Sequence, residues 1–168
     1  MPSHHMSFRS IFQLIAIITL FASTPILSNP SSTSAFQYSI GDMSISSLFE
    51  THKKFQLGYD EYQPGDLLSL PALPELEVYI LFGTWCHDSE REVPRLLRLL
   101  QELNIPDKHI HLIGLNPSKS EPLNREIIFN VEKTPTFIFL KGKQEIGRII
   151  EKPGVSLESD LQIILARY

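Results

Sequence analysis

Residues 78–94 read VYILFGTWCHDSEREVP, and the only cysteine of the chain, Cys86, stands in the middle of them. The opening run Val78, Tyr79, Ile80, Leu81, Phe82 is apolar and rich in β-branched and aromatic side chains, which predicts a strand buried on both faces. Gly83 ends the run. Helical spacing then takes over, with Val93, Leu96, Leu97, Leu100 and Leu103 on one face. Cys86 therefore sits where a strand hands over to a helix. The first N–H groups of a helix lack intrahelical partners and the macrodipole is positive there, so a thiolate is favoured at this point. The thiolate is the nucleophilic form of cysteine. A free cysteine is commonly an inert, buried residue, but Thr84, His87, Asp88 and Ser89 make a polar flank unsuited to a core pocket. Exposure is the expectation.

Trp85-Cys86-His87-Asp88-Ser89 after a buried strand resembles the Trp-Cys-x-x-Cys turn of thioredoxins, with Ser89 in place of the second cysteine. Pro94 follows Cys86 by eight residues, where thioredoxin-like proteins kink their first long helix. Thr134-Pro135-Thr136 precedes a strand-like Phe137-Ile138-Phe139-Leu140, where the family carries a cis-proline loop facing the cysteine. A Lys141-Gly142-Lys143 turn, a strand ending near Gly147 and Arg148, and a last helix extend the resemblance over residues 78–168. It implies an α/β, thioredoxin-like fold with a mixed central sheet of four or five strands flanked by helices. The count stays open because residues 36–77 show no clear first strand.

The resemblance also assigns roles. Cys86, Ser89 and His87 take the catalytic positions, and Trp85, Thr134 and Pro135 form the surface that holds a peptide, Thr134 by strand addition through its backbone. Ser89 is the main departure. A second thiol would attack a mixed disulfide and release the product, whereas a hydroxyl has only a hydrogen bond to offer the Cys86 thiolate. Ile80 is another departure, because thioredoxins often bury an acid at that strand position. His87, if protonated, favours the thiolate and Asp88 opposes it; His87 reads equally well as a solvent-facing residue.

The chain has 168 residues, 42% of them hydrophobic, enough for one packed domain. A net charge of −4 leaves no basic field for nucleic acid. One cysteine excludes an intramolecular disulfide and any multi-cysteine metal site. Arg9 is the only charged side chain before Asp42, and residues 11–22 (IFQLIAIITLFA) have the length and flanks of a signal-peptide apolar region, stopped by Ser23-Thr24-Pro25. The expected organisation is a signal peptide at 1–28, a Ser/Thr/Pro linker at 29–35, and one domain at 36–168 with a helical N-terminal extension. The expected location is exported, in the periplasm, with no stable membrane anchor after cleavage.

The remaining expectations are local. Residues 46–55 form a helix, 59–65 an aromatic-bearing loop, 67–70 a helical turn, 109–115 a second buried strand, and 121–130 a helix with Leu123, Ile127 and Ile128 turned inward. The last helix has Ser156 as N-cap and Glu158 and Asp160 in its first turn. Arg91, Arg95 and Arg98 read as a solvated helical face interleaved with Glu92 and Glu102. His109 and His111 share one side of a strand, too few ligands for a metal. No metal and no cofactor are expected. The favoured function is thiol–disulfide exchange through Cys86, an oxidoreductase-like chemistry in which an external thiol resolves the mixed disulfide. The partners are then protein or small-molecule thiols and disulfides. The alternatives are a redox-silent module that binds peptide on the Trp85, Thr134 and Pro135 surface, and an assembly factor whose interface lies in residues 38–73.

Overall fold

The computed structural model describes Met1 and residues 38–65 and 73–168. The chain divides into Met1–Thr33 and Ser34–Tyr168, and every element described here belongs to the second unit. The expected signal peptide, the linker and the turn at 67–70 lie outside the described residues. The order is β1 (Gly41–Met43), α1 (Ile45–Thr51), α2 (Lys53–Glu61), β2 (Leu76–Phe82), α3 (His87–Glu102), a 3₁₀ turn (Asp107–His109), β3 (Ile110–Gly114), α4 (Arg125–Ile128), β4 (Thr136–Lys141), β5 (Gln144–Ile150) and α5 (Leu157–Leu165).

The sheet has five strands in the order β1-β3-β2-β4-β5. β2 and β3 run parallel, joined through α3, and all other pairs are antiparallel. The central place of β2, with β3 on one side and β4 on the other, accounts for its unbroken apolar run. Alternation then divides its side chains. Val78, Ile80 and Phe82 enter the main core with Leu48 of α1, Phe55 of α2, Leu96 and Leu100 of α3 and Leu161 of α5. Leu81 enters a smaller cluster on the opposite face with Ile113, Leu115, Val131 and Ile138.

The fifth strand settles the open count. β1 is the three-residue Gly-Asp-Met, with Gly41 at φ 83°, and neither Gly nor Asp favours a strand. Antiparallel pairing with β3 makes the strand, not its own composition. The expected helix at 46–55 breaks at His52 (φ −123°, ψ 82°) and resumes as α2, which takes in Tyr59 to Glu61, expected as loop. Gly58 argues against a helix in sequence, yet it suits this one: a Cβ there would stand 3.0 Å from Pro94 Cγ, so its absence lets α2 approach α3 at the proline. His109 belongs to the 3₁₀ turn, not to β3.

The segment 121–130 departs furthest. Only Arg125–Ile128 is helical, and Leu123, Ile127 and Ile128 are 61, 71 and 73% exposed. Charge holds this segment instead. The buried Glu121 carboxylate accepts from the N–H groups of Leu123 and Arg125 and from the Arg125 guanidinium, which also reaches Asp42 of β1. Those bonds, the Arg125 side chain first, hold Glu121 down at about 2. α5 follows its sequence signals: Ser156 Oγ accepts from Ser159 N–H, and Glu158 and Asp160 occupy the first turn.

Candidate functional site

Cys86 is the N-cap of α3. Its carbonyl accepts from Glu90 N–H at 2.9 Å, and its own N–H donates to the Gly83 carbonyl at 3.0 Å. The residue is half-buried, and Sγ–H donates to the Thr134 carbonyl at 3.3 Å. The Thr134–Pro135 peptide is cis. The loop between α4 and β4 is held in place by two neighbours. Thr136 Oγ1 donates to the Lys133 carbonyl, and Glu151 N–H at the end of β5 donates to the Pro135 carbonyl at 2.7 Å. Strand, helix start and proline loop thus bring Cys86, Thr134 and Pro135 together from residues 48 apart in sequence.

Trp85 leans back across Gly83. A Cβ at position 83 would fall 2.5 Å from the indole Cε2, so only glycine admits this placement. The indole Nε1–H donates to the Leu115 carbonyl at 2.8 Å, and Leu115 N–H donates to the Phe82 carbonyl. The ring therefore ties the cysteine turn to the end of β3 while part of it stays exposed. Beneath it, Thr84 Oγ1 accepts from Ser39 N–H at 3.1 Å. The sequence reading takes Gly83 only as the end of the strand and passes over the Leu115 carbonyl, although a glycine between a buried strand and a tryptophan is the signal that points to this role of Gly83.

Ser89 stands elsewhere than the sequence reading puts it, and His87 takes the solvent-facing one of its two readings. Ser89 is fully buried, and its hydroxyl accepts from Gly83 N–H at 3.2 Å; it makes no hydrogen bond to Cys86 among the described residues. A side chain one turn into α3 points inward, below the exposed rim of the turn. His87 projects into solvent, its side chain 88% exposed and 3.8 Å from Glu90. It does not touch the sulfur. No capping hydrogen bond reaches the Cys86 side chain, so the first turn of α3 faces the sulfur through its dipole alone. Ile80, six residues before Cys86, is fully buried.

The arginine face of α3 is a clamp. Arg91 bridges Asp88 at 2.8 Å and Glu92 at 2.6 Å, and the Glu92 bond holds its guanidinium more firmly protonated than usual. Glu92 is only 2% exposed, against the expectation of a solvated residue, and its Oε2 has no hydrogen-bond partner among the described residues. Arg95 lies over the Tyr62 ring and Arg98 over Tyr59, which ties α2 to α3. On the other face, His109 Nδ1 and His111 Nε2 lie 2.8 and 2.7 Å from the two oxygens of one carboxylate, Glu77. Among the described residues no group of three or more His, Cys, Asp and Glu side chains has the arrangement of a metal site.

No family model matches the chain, and no curated protein matches it. Several solved structures resemble parts of it. Thioredoxin f2 of Chlamydomonas reinhardtii shares 21% identity over 45% of this chain and 66% of its own, just under two thirds, with a TM-score of 0.37. Fasciola hepatica thioredoxin shares 20% over 55% of this chain and 80% of its own, TM-score 0.40. Mitochondrial thioredoxin 3 of Saccharomyces cerevisiae shares 25% over 45% and 66%, TM-score 0.35. By its own topology, a five-stranded mixed sheet with a parallel β2–β3 pair joined through α3 and a Thr-Pro loop opposite the cysteine, the chain has a thioredoxin-like fold with one cysteine at its turn.

Proposed function

We propose that the protein carries out thiol–disulfide exchange through Cys86 alone, after export. The observation that carries this reading is the 3.3 Å approach of Cys86 Sγ to the Thr134 carbonyl, with buried Ser89 one turn further along α3. The Cys86 thiolate attacks one sulfur of a partner disulfide. A Cys86–sulfur bond forms, the partner's sulfur–sulfur bond breaks, and the second partner sulfur leaves as thiolate. Ser89 has no sulfur with which to repeat the attack. An external thiol therefore attacks the partner sulfur, takes it as a new disulfide and returns Cys86 as thiolate. The substrates are disulfides of proteins or small molecules, and the resolving agent is a thiol. Thr134, Pro135 and Trp85 form the surface against which an extended partner lies. Export rests on the apolar region at 11–22; the mature chain then begins between Ser23 and Phe36, in a periplasmic setting.

A second reading is a redox-silent binding module. It is favoured by one observation: the sulfur's hydrogen-bond partner is an acceptor, and among the described residues nothing donates to it. Exchange and binding separate on one variant. Ser89→Cys is expected to give an intramolecular disulfide with Cys86 and reductase turnover of a protein disulfide, at least tenfold above wild type with a dithiol donor. Cys86→Ala is expected to abolish exchange in either background. A Ser89→Cys protein that oxidises readily but shows no turnover favours the binding module. Wild type that matches the dithiol variant overturns the role assigned to Ser89. N-terminal sequencing of the protein from its native compartment tests export, and an intact Met1 or Met6 counts against cleavage.

A further inference from the structure

The helical cover of the main core is incomplete at its far corner from the Trp85 turn. Of two adjoining cavities of about 360 and 340 Å³, the first lies between the α1–α2 pair and the C-terminal end of α3, and the second between the β1–α1 segment and the start of β3. Both are bounded by Ile45, Ile110 and Asp107. Buried Leu97 and Ile105 line the first, and Met43 and Phe49 line the second, so each has an apolar wall continuous with the core. Each volume falls at the small end of the range usual for organic ligands, roughly 300–1,000 Å³.

The charge is what makes the cleft selective. Among the described residues, Asp107 is the only ionisable carboxylate or base lining either cavity, and it lines both. Asp107 is exposed, and no hydrogen bond or ion pair occupies its carboxylate among the described residues. Lys108 follows Asp107 in the chain but lines neither cavity, and Arg98, which lies over the Tyr59 ring of the first cavity, is engaged with Glu102 at 3.0 Å and with Gln101. A wholly apolar occupant would cover the Asp107 carboxylate without giving it a partner, an unfavourable exchange. An apolar body with one positive charge would cover the hydrocarbon and pair the carboxylate together. We propose that this cleft binds an organic ammonium, an alkyl or aryl group carrying one amine. The site is independent of Cys86.

The test uses the full chain and three ligands of one size: 2-phenylethylammonium, 2-phenylethanol and 3-phenylpropionate, each followed by backbone amide NMR up to 10 mM. The ammonium is expected to give saturable shifts at Ile45, Leu97, Asp107 and Ile110, and to bind about three- to tenfold tighter than the alcohol, as one partly exposed ion pair allows. The carboxylate is expected to give none. Asp107→Asn should bring the ammonium and the alcohol together, Asp107→Lys should shift preference to the carboxylate, and Cys86→Ala should bind as wild type does. Asp107 is exposed, so these variants keep the wild-type melting temperature. Equal binding of ammonium and alcohol, no saturable shift by 10 mM, shifts centred elsewhere, or an ammonium preference that survives Asp107→Asn would each overturn the proposal. So would self-association through this cleft, seen as a concentration-dependent mass that Asp107→Lys abolishes.

Discussion

The two faces of the sheet are held by different physics. On one face β2 sends Val78, Ile80 and Phe82 into a core built by α1, α2, α3 and α5, all of whose buried members are apolar apart from Ser89 and Glu92. On the other face the apolar cluster is small, and carboxylates with their partners add to the attachment: Glu121 with Arg125, which also reaches Asp42, and Glu77 with His109 and His111. The first kind of holding depends mainly on area and shape, although Glu158 of α5, bonded by the Tyr62 hydroxyl and Gly65 N–H against the pull of burial, is held at about 2. The second depends on protonation and geometry.

The largest expected effect lies on the first face. Phe82 is fully buried, and its ring meets Phe55 edge-on at 5.7 Å between centroids. Phe82→Ala should cost roughly 3–5 kcal/mol by urea unfolding, from lost transfer energy and an unfilled cavity. A loss below about 1 kcal/mol would mean that this face collapses around a missing ring, and the contrast between the faces would fail.

On the second face Glu121→Gln comes next, at about 2 kcal/mol near neutral pH, because three charge-assisted donors lose a charged acceptor. The sign of the pH dependence follows from a carboxyl held at about 2, below its ordinary 4.5. Its contribution is fully present above 4.5 and is lost as pH falls towards 2. Between pH 5 and 2 wild type should therefore lose more stability than Glu121→Gln. Parallel curves would show that the ion pair is decorative.

Glu77 sharpens the comparison at smaller scale. Burial alone would raise its pKa, but hydrogen bonds from His111 and His109 outweigh it and leave the carboxyl below its usual value. Glu77→Gln should cost about 1 kcal/mol, the net worth of such bonds at a half-buried site. Because the folded value is the lower one, that stabilisation is present above the ordinary carboxylate range and fades as pH falls through the depressed value.

The same division decides what the chain reveals before folding. β2, α3, the Thr-Pro loop, the terminal hairpin and α5 are legible because apolar period, caps and turn residues agree there, and they bring Cys86 to Thr134. β1 is not legible, since a Gly-Asp-Met strand exists only by pairing with β3. The orientation of Ser89 is not legible either: a short polar side chain at a helix start has several backbone groups in reach, and Gly83 N–H is the one it meets. At 121–130 the apolar spacing points the wrong way, because Glu121 fixes the segment through its carboxylate and leaves the aliphatics outside.

The smallest effect tests that last reversal. Ile127 sits in α4 with 71% of its surface exposed, so it withdraws little area from water on folding. Ile127→Ser removes an aliphatic side chain where few contacts are lost and creates no cavity, so stability should change by no more than about 0.5 kcal/mol in either direction. Neighbouring Glu126, buried beside it in the same turn, supplies the control. Glu126→Ala should be the more costly of the two through its buried hydrocarbon stem, since its Oε2 has no hydrogen-bond partner among the described residues to lose, reversing the order that hydrophobicity alone would assign. If Ile127→Ser instead costs as much as a core truncation, α4 packs its aliphatic side against something in solution, and the second face is apolar after all. If both variants are neutral, the turn is held by Glu121 and Arg125 without help from the rest of α4, which draws the contrast between the faces still more sharply.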